Sequence, residues 1–507
     1  MYKFIAALTL LFLPHLLRAQ VLPGENSKLH YRLIGFSFPV STGCNHYRLE
    51  VALGSYHAAD SFVKNVFATY TGNKNSIIAE VPYFGNDYTW RVIYTGKNVA
   101  ETKSELHHFS TSMIPDMDTN NTRVRITKNR GIYKNALVCL DGNRAIYDMS
   151  GHPVWYLPVI DGMSNEQLRD VRDMKLTSQG TITFLLNNVG YEINYDGVVL
   201  WKTPDNGTVN RDKHEYYHHE LTRLKNGHYM ILGNEYPLWK LPSNADSNVL
   251  LDTHTIYDTV KKAFSRNVEF GTIIEYDEKD NVVWLWKSSK YFEGSDLKDS
   301  INALGKFKDM HENSFCFDEE KKELLVSFRN ISRILKVRYP DGQVAVTYGH
   351  CYSPGGKEQG SNLFCNQHSV KRSKQGYIYL FDNNCCNKEE TPKIVMMKES
   401  RDGNLEKKWE YSCEIEDFTL KRHLQFRSGG NVIELPDKSI FTSLATDLYS
   451  NIFIVSKGKK VKWSAMPEKW NQVESKWEPV FQYRASIITD QKDKEHLIWN
   501  GAIKNQD

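Results

Sequence analysis

The segment Gln179-Gly180-Thr181-Ile182-Thr183-Phe184-Leu185, read on through Asp196-Gly197 to Trp201, decides the fold. It opens on a polar-Gly turn and continues as a β-branched and aromatic strand. After a third strand, an Asp-Gly turn leads into a last strand that ends in Trp. A turn followed within a few residues by Trp or Tyr recurs six times: Gly151 to Trp155, Gly197 to Trp201, Asn281 to Trp284, Gly342 to Tyr348, Gly403 to Trp409 and Gly458 to Trp463. Asn226-Gly227, Gln375-Gly376 and Asp437-Lys438 stand where Gln179-Gly180 stands in the first example. Four short strands per unit, in units of roughly 45 to 80 residues counting insertions, predict the blades of a propeller. The count predicts six blades. Two stacked β-sandwiches are the alternative, but their strands need no repeated interval from turn to aromatic. The long stretch from Pro237 to Phe270 interrupts the third unit and reads as a loop over one end of the blades.

The rest of the 507 residues agrees with an all-β chain: 28 Tyr, 23 Phe, 11 Trp and 31 Gly are the types that fill strands and turns. With 64 Lys+Arg against 61 Asp+Glu, no basic stripe is available for a polyphosphate backbone, which argues against nucleic acid as a partner. Lys3, the apolar run Phe4 to Leu17 and Leu17-Arg18-Ala19 read as a signal peptide over residues 1–19, so the protein is expected to be exported, periplasmic or secreted. A retained anchor is the alternative, and the run is short for one. No later stretch approaches ~18 uninterrupted apolar residues, so no stable membrane insertion is expected. Residues 28–112 read as a small N-terminal β-sandwich, in which Tyr88, Trp90 and Val92 face one way and Thr89 and Arg91 the other. This aromatic-x-Trp-Arg strand resembles fibronectin type III modules, and the domain offers a surface for a homodimer. Met113 to Asn121 is the expected linker, and residues 122–490 the propeller. The eight cysteines are unevenly spaced and fit neither a Cys-x2-Cys zinc site nor a dense disulfide scaffold. Cys351 and Cys365 bracket a Gly-rich loop and are the expected bridge.

Three units open on histidine: His219, His311 and His368. His219 and His368 each lie eight residues before the Gly of their second turn, Gly227 and Gly376. First strands of propeller blades line the central channel, so residues at matched phase converge on the axis. Arg329 ends a strand in the same unit as His311. Three imidazoles, this guanidinium and the Asn313 amide make a pocket of donors suited to an oxyanion. A zinc site of His219, His311 and His368 is the alternative, disfavoured by the neighbouring Arg. Tyr216 and Tyr217, beside His218, are candidates to stack on a ligand ring, with burial inside the blade as the alternative.

The series His218-His219-Glu220 to Gly227, His311-x-Asn313-Ser314, Ser327-x-Arg329-Asn330 and Gln367-His368, in that order, resembles the bacterial arylsulfate sulfotransferases. These are exported enzymes that move a sulfuryl group between phenols without a nucleotide donor. The eighteen-residue step from His311 to Arg329 is the most specific part. The resemblance implies a small β domain before a six-bladed propeller, an aryl sulfate and a phenol as substrates, and no cofactor. It implies that His368 is the histidine that becomes sulfated, in a ping-pong reaction through a sulfohistidine. His219, His311, Asn313 and Arg329 are the implied holders of the sulfuryl oxygens, with His311 or His219 as acid and base. Family members can carry a short-loop disulfide ahead of the nucleophile, whereas Cys351 and Cys365 are fourteen apart. The competing expectations are a non-catalytic exported propeller that binds glycan or protein, and a sulfate-ester hydrolase.

Overall fold

The strand Asp87–Gly96 is the axis of the first of two units into which the chain divides, Met1–Met113 and Ile114–Asp507. A computed structural model describes residues 21–113, 121–164, 166–211, 213–241, 247–251, 255–292, 309–349, 363–384, 391–413, 428–445 and 450–503. The expected signal peptide, most of the expected linker, Cys351, Cys385 and Cys386 therefore lie outside the described residues. In the first unit, Asp87–Gly96 pairs on its two sides with His46–Leu53 and His107–Thr111, and Leu33–Ser37 pairs with Ser76–Glu80 in a second, two-stranded sheet. Trp90 meets Phe36 edge to face at 5.2 Å, as an inward aromatic should. The opposite face departs from the alternation. Thr89 and Arg91 are buried as well, because the helix Ala59–Lys64 lays Phe62 under the Arg91 guanidinium while Glu50 pairs with it at 2.8 Å.

In the second unit, six sheets of at least four antiparallel strands follow one another along the chain, and in the second to fifth the strands are in sequence order. The first comprises Leu137–Leu140, Ala145–Asp148 and Pro153–Tyr156 and is completed by Ala485–Ile488 from the far end of the chain. The second runs from Arg172–Leu176 to Val199–Lys202, and the third from Tyr217–Arg223 to Val282–Lys287. The fourth runs from Glu312–Asp318 to Val344–Tyr348, the fifth from His368–Arg372 to Leu405–Ser412, and the sixth starts at Asn431–Glu434. Thr122–Asn129 adds to the sixth sheet along Val461–Asn471. In the stretch Pro237 to Phe270, expected as a loop, the described residues contribute a three-stranded sheet of Leu238–Lys240, Thr255–Asp258 and Ala263–Asn267.

Each of the six Gly or Asn turns joins two consecutive strands of a sheet, and five of the aromatics that follow reach the corresponding turn of the next sheet. The indole N–H of Trp155 donates to Tyr195 O at 2.8 Å, Trp201 to Asp280 Oδ1 at 2.9 Å, Trp284 to Pro340 O at 2.8 Å and Trp409 to Lys457 O at 2.8 Å. Trp463, in the sixth sheet, donates to Met149 O in the first at 2.9 Å. The fourth aromatic is Tyr348, which has no indole and instead packs with Val395 and Met397 of the fifth sheet in one buried cluster. The first strands of successive sheets also touch in order, and Ala485–Ile488 touches both the second and the sixth sheet.

Candidate active site

Four first strands carry a β-bulge at the end where the site lies. The register shifts between Arg172 and Lys175, His218 and Leu221, Glu312 and Ser314, and His368 and Lys371. Asp173, His219 and Ser369 within these bulges, and His311 just ahead of its own, have positive φ. A bulge redirects consecutive side chains, and the left-handed residue turns the chain sharply, so polar groups from one strand converge where a regular strand would send them to opposite faces.

The bulge at His219 corrects the matched phase read from the sequence. His368 lies opposite Phe381 and bonds Asn383, two residues further along the partner strand. His218 lies opposite Leu232 and bonds Asn234, again two residues further along. The counterpart of His368 is therefore His218. His219 is the additional residue of a longer bulge, and the equal spacing to Gly227 and Gly376 does not survive as equal register.

His368 is 1% exposed, and its Nδ1 lies 2.7 Å from Asn383 Oδ1. The Asn383 amide nitrogen donates to Gly429 O at 3.2 Å, which orients the amide, so Nδ1 carries the proton and Nε2 the lone pair. Gly429 N–H faces that lone pair at 3.3 Å. At Gly429, φ is +73° and a Cβ would meet Tyr483 O at 2.8 Å, so the turn that closes on His368 requires glycine. Burial, then the Arg329 guanidinium, His311 and Arg484, push His368 well below the ordinary imidazole range against the pull of Asn383. The ring is neutral at physiological pH.

A second chain of imidazoles is fixed in the same way. The Asn234 side chain also bonds Glu269, which turns its Oδ1 to His218 Nε2 at 2.7 Å. His218 Nδ1 is then the acceptor for His219 Nδ1–H at 2.6 Å, and His219 Nε2 keeps a lone pair. Burial pushes His218 down to about 4. His219 also falls well below its ordinary range, through burial first and then His218, His311 and Arg484. The His219 and His311 rings meet edge to face at 5.0 Å. His311 has a different partner, the Asp309 carboxylate 3.4 Å from Nδ1. Burial alone would raise Asp309, but His311, His218 and Arg329 outweigh it and hold the group below the usual carboxylate range.

Arg329 and His368 are tied together through the residues that flank them. Asn366 Nδ2 donates to Arg329 O at 3.0 Å, Gln367 Nε2 to Ser327 Oγ at 2.9 Å, and Asn313 Nδ2 to Gln367 O at 2.7 Å. Arg329 N–H donates to His311 O at 2.9 Å. One N–H of the Asn313 amide is thus spent on the backbone, leaving the other for a ligand. Beneath the histidines, Arg484 reaches Asp173 at 2.8 Å, Glu220 at 3.2 Å and Asn313 O at 2.9 Å, and Glu220 also meets Lys371 and Lys175. Burial would raise Glu220, but Lys371, Lys175 and Arg484 hold it far below its ordinary range.

The structure thus brings together His219, His311, His368, Arg329 and Asn313. It does not place Tyr217 with them. Tyr217 is buried in a cluster with Trp201, Tyr229 and Tyr276, and its hydroxyl donates to Pro204 O at 2.6 Å and lies 2.8 Å from Tyr276 Oη, so no phenol ring stacks on it. The neighbouring Tyr216 is partly exposed and meets Tyr236. Sequence reading missed Asp309, Asn383, Tyr483 and Arg484. Asn234 and Asn383, sixteen and fifteen residues after their histidines, formed the one periodic signal available. Among the described residues no group of three or more His, Cys, Asp or Glu is arranged to hold a metal ion, and no helix is long and apolar enough to cross a membrane.

No curated protein matches the chain. Among solved structures, it is similar to a quinonprotein alcohol dehydrogenase-like protein from Bacteroides thetaiotaomicron, with 10% identity, 94% of this chain and 100% of that one covered, and a TM-score of 0.35. It is also similar to a periplasmic gluconolactonase from Pseudomonas aeruginosa, with 11% identity, 87% and 98% covered, and a TM-score of 0.27. Residues 127–429, which carry His219, His311, Asn313, Arg329 and His368, match the model of the arylsulfotransferase (ASST) family, and the chain belongs to that family.

Proposed function

We propose that Ile114–Asp507 is a six-bladed β-propeller that transfers a sulfuryl group from an aryl sulfate to a phenol in two steps through His368. In this reading the chain is an exported enzyme whose first unit is a fibronectin type III-like module. Six successive sheets with an indole seam from the sixth back to the first support the propeller. The observation that carries the chemistry is the state of His368: a neutral ring, its Nδ1–H held by Asn383, its Nε2 lone pair free of a proton, and the Arg329 charge beside it.

In the first step Nε2 attacks sulfur, the N–S bond forms, the S–O(aryl) bond breaks and the phenolate leaves. The positive charge gained by the ring is shared with Asn383 Oδ1 through Nδ1–H. Sulfuryl transfer resembles phosphoryl transfer in needing an in-line arrangement and cationic donors around the peripheral oxygens, which Arg329 supplies together with the free N–H of Asn313. An acid of pKa ~10 gives a far better leaving group than an aliphatic alcohol, hence an aryl donor. In the second step the acceptor phenol loses its proton, its oxygen attacks sulfur, the N–S bond breaks and neutral His368 returns. His311 is the proton carrier, since it alone of the site imidazoles has a carboxylate partner among the described residues, Asp309. His219, neutral and presenting a lone pair, accepts rather than donates, so it is not a cationic holder of the sulfuryl group. The donor brings its own leaving group, and the reaction calls for no cofactor.

Incubated with an aryl sulfate and no acceptor, the protein should gain one SO3 on the peptide containing His368, and His368→Asn should gain none. Transfer to phenol by His368→Asn at the wild-type rate would remove His368 from the role. Phenol release that ignores added acceptor would point to a hydrolase, and no release at all to a binding propeller.

A further inference from the structure

Tyr483 sits where the two histidine chains meet. Its ring lies edge to face with His219 at 5.7 Å and with His368 at 6.3 Å, and the Arg172 and Arg484 guanidinium carbons lie 5.4 and 5.5 Å from its centroid. The residue is 5% exposed. Its backbone carbonyl accepts from Gly430 N–H at 3.1 Å, in the same turn whose Gly429 N–H faces His368 Nε2, so its position is registered to the nucleophile. Its hydroxyl is buried and has no hydrogen-bond partner among the described residues. Such a group costs about 1–3 kcal/mol unless something satisfies it, and beside the reactive groups a ligand can do so.

Resting on the sulfuryl-transfer reading above, we infer that the Tyr483 hydroxyl is a catalytic hydrogen-bond donor to the aryl oxygen, holding the negative charge that gathers there as the S–O(aryl) bond breaks. Each cation nearby has another assignment. Arg484 is committed to Asp173, Glu220 and Asn313 O, Arg172 pairs with Asp170 at 3.6 Å, and Arg329 is assigned above to the sulfuryl oxygens. Burial pushes the hydroxyl up to about 12 despite the attraction of Arg484, Arg172 and Arg329, so it keeps its proton at neutral pH and donates. A neutral donor also discriminates in the right direction, because it bonds a phenolate oxygen more strongly than the ester oxygen it replaces.

Tyr483→Phe removes only the hydroxyl, and since that hydroxyl has no internal bond to lose, the variant should melt at the wild-type temperature or slightly above. Single-turnover sulfation of His368 should fall about 100-fold with phenyl sulfate but less than about 10-fold with a nitrophenyl sulfate, whose ring disperses the charge itself. The dependence on leaving-group acidity should steepen. Equal losses on both donors, no loss on either, or a large drop in melting temperature would each overturn the assignment. If wild-type protein releases phenol from neither donor, the sulfuryl-transfer reading itself fails. If wild type turns over both and the variant does not discriminate, only the role of Tyr483 fails.

Discussion

The two ends of each sheet in the second unit solve different problems. At the outer turns, Asp-Gly or its equivalent and the aromatic beyond it repeat six times with the same task, because every sheet must be fastened to its neighbour in the same geometry. At the inner ends, the bulged strands carry different residues in each sheet: Asp173, His218-His219, Asn313 and His368. Repetition marks structure, and departure from repetition marks the place where chemistry has been built. The outer bonds repeat one kind of donor and one kind of turn acceptor between neighbouring sheets, whereas the inner contacts differ from sheet to sheet, and Arg484 gathers Asp173, Glu220 and Asn313 O from three of them.

This contrast breaks most readily at Arg484, which joins three inner strands. Arg484→Leu leaves Glu220 and Asp173 buried without that partner and should cost about 3–5 kcal/mol in urea unfolding. A loss under 1 kcal/mol would mean that Lys371 and Lys175 suffice. At the site itself, Asp309→Asn should slow the second half-reaction about 100-fold with phenol as acceptor. A nitrophenol that is already ionised under mildly alkaline conditions should be spared, and a uniform loss would reduce Asp309 to packing. At the outer seam, Trp463→Phe keeps the ring but removes the indole bond to Met149 and should cost about 1 kcal/mol with sulfation of His368 untouched.

The smallest effect expected is the absence of one. An ordinary imidazole half-protonates near pH ~6.5, so a nucleophile of that kind would lose half its rate there. The folded-state value of His368 is depressed, so the neutral, reactive form persists as pH falls through that region, and single-turnover sulfation should stay flat from pH 7.5 to about 6. A midpoint near 6.5 would show that the ring is less desolvated than its burial implies.

The all-β class, the six turn-to-aromatic intervals and the five polar residues His219, His311, Asn313, Arg329 and His368 were legible because each rests on local chemistry: turn geometry, β propensity, or a residue type in a short motif. The partner of His368 was not. Asn383 acts only after two strands pair, and His218 rather than His219 stands in the equivalent register because a bulge absorbs an extra residue, which no count along the chain detects. Tyr217 failed for a related reason. Strand alternation says which residues share a face, but that face met Tyr276 and Trp201 instead of the site.

By itself, then, the sequence determined a chain of repeated four-stranded units and the inventory of donors, since composition and turn spacing act within a few residues. Only the tertiary structure decided which imidazoles are neutral, which ring nitrogen carries the proton, and that Tyr483 and Arg484, more than a hundred residues beyond His368, stand beside it. Those properties come from desolvation and from hydrogen bonds between distant strands, and neither exists until the sheets have packed.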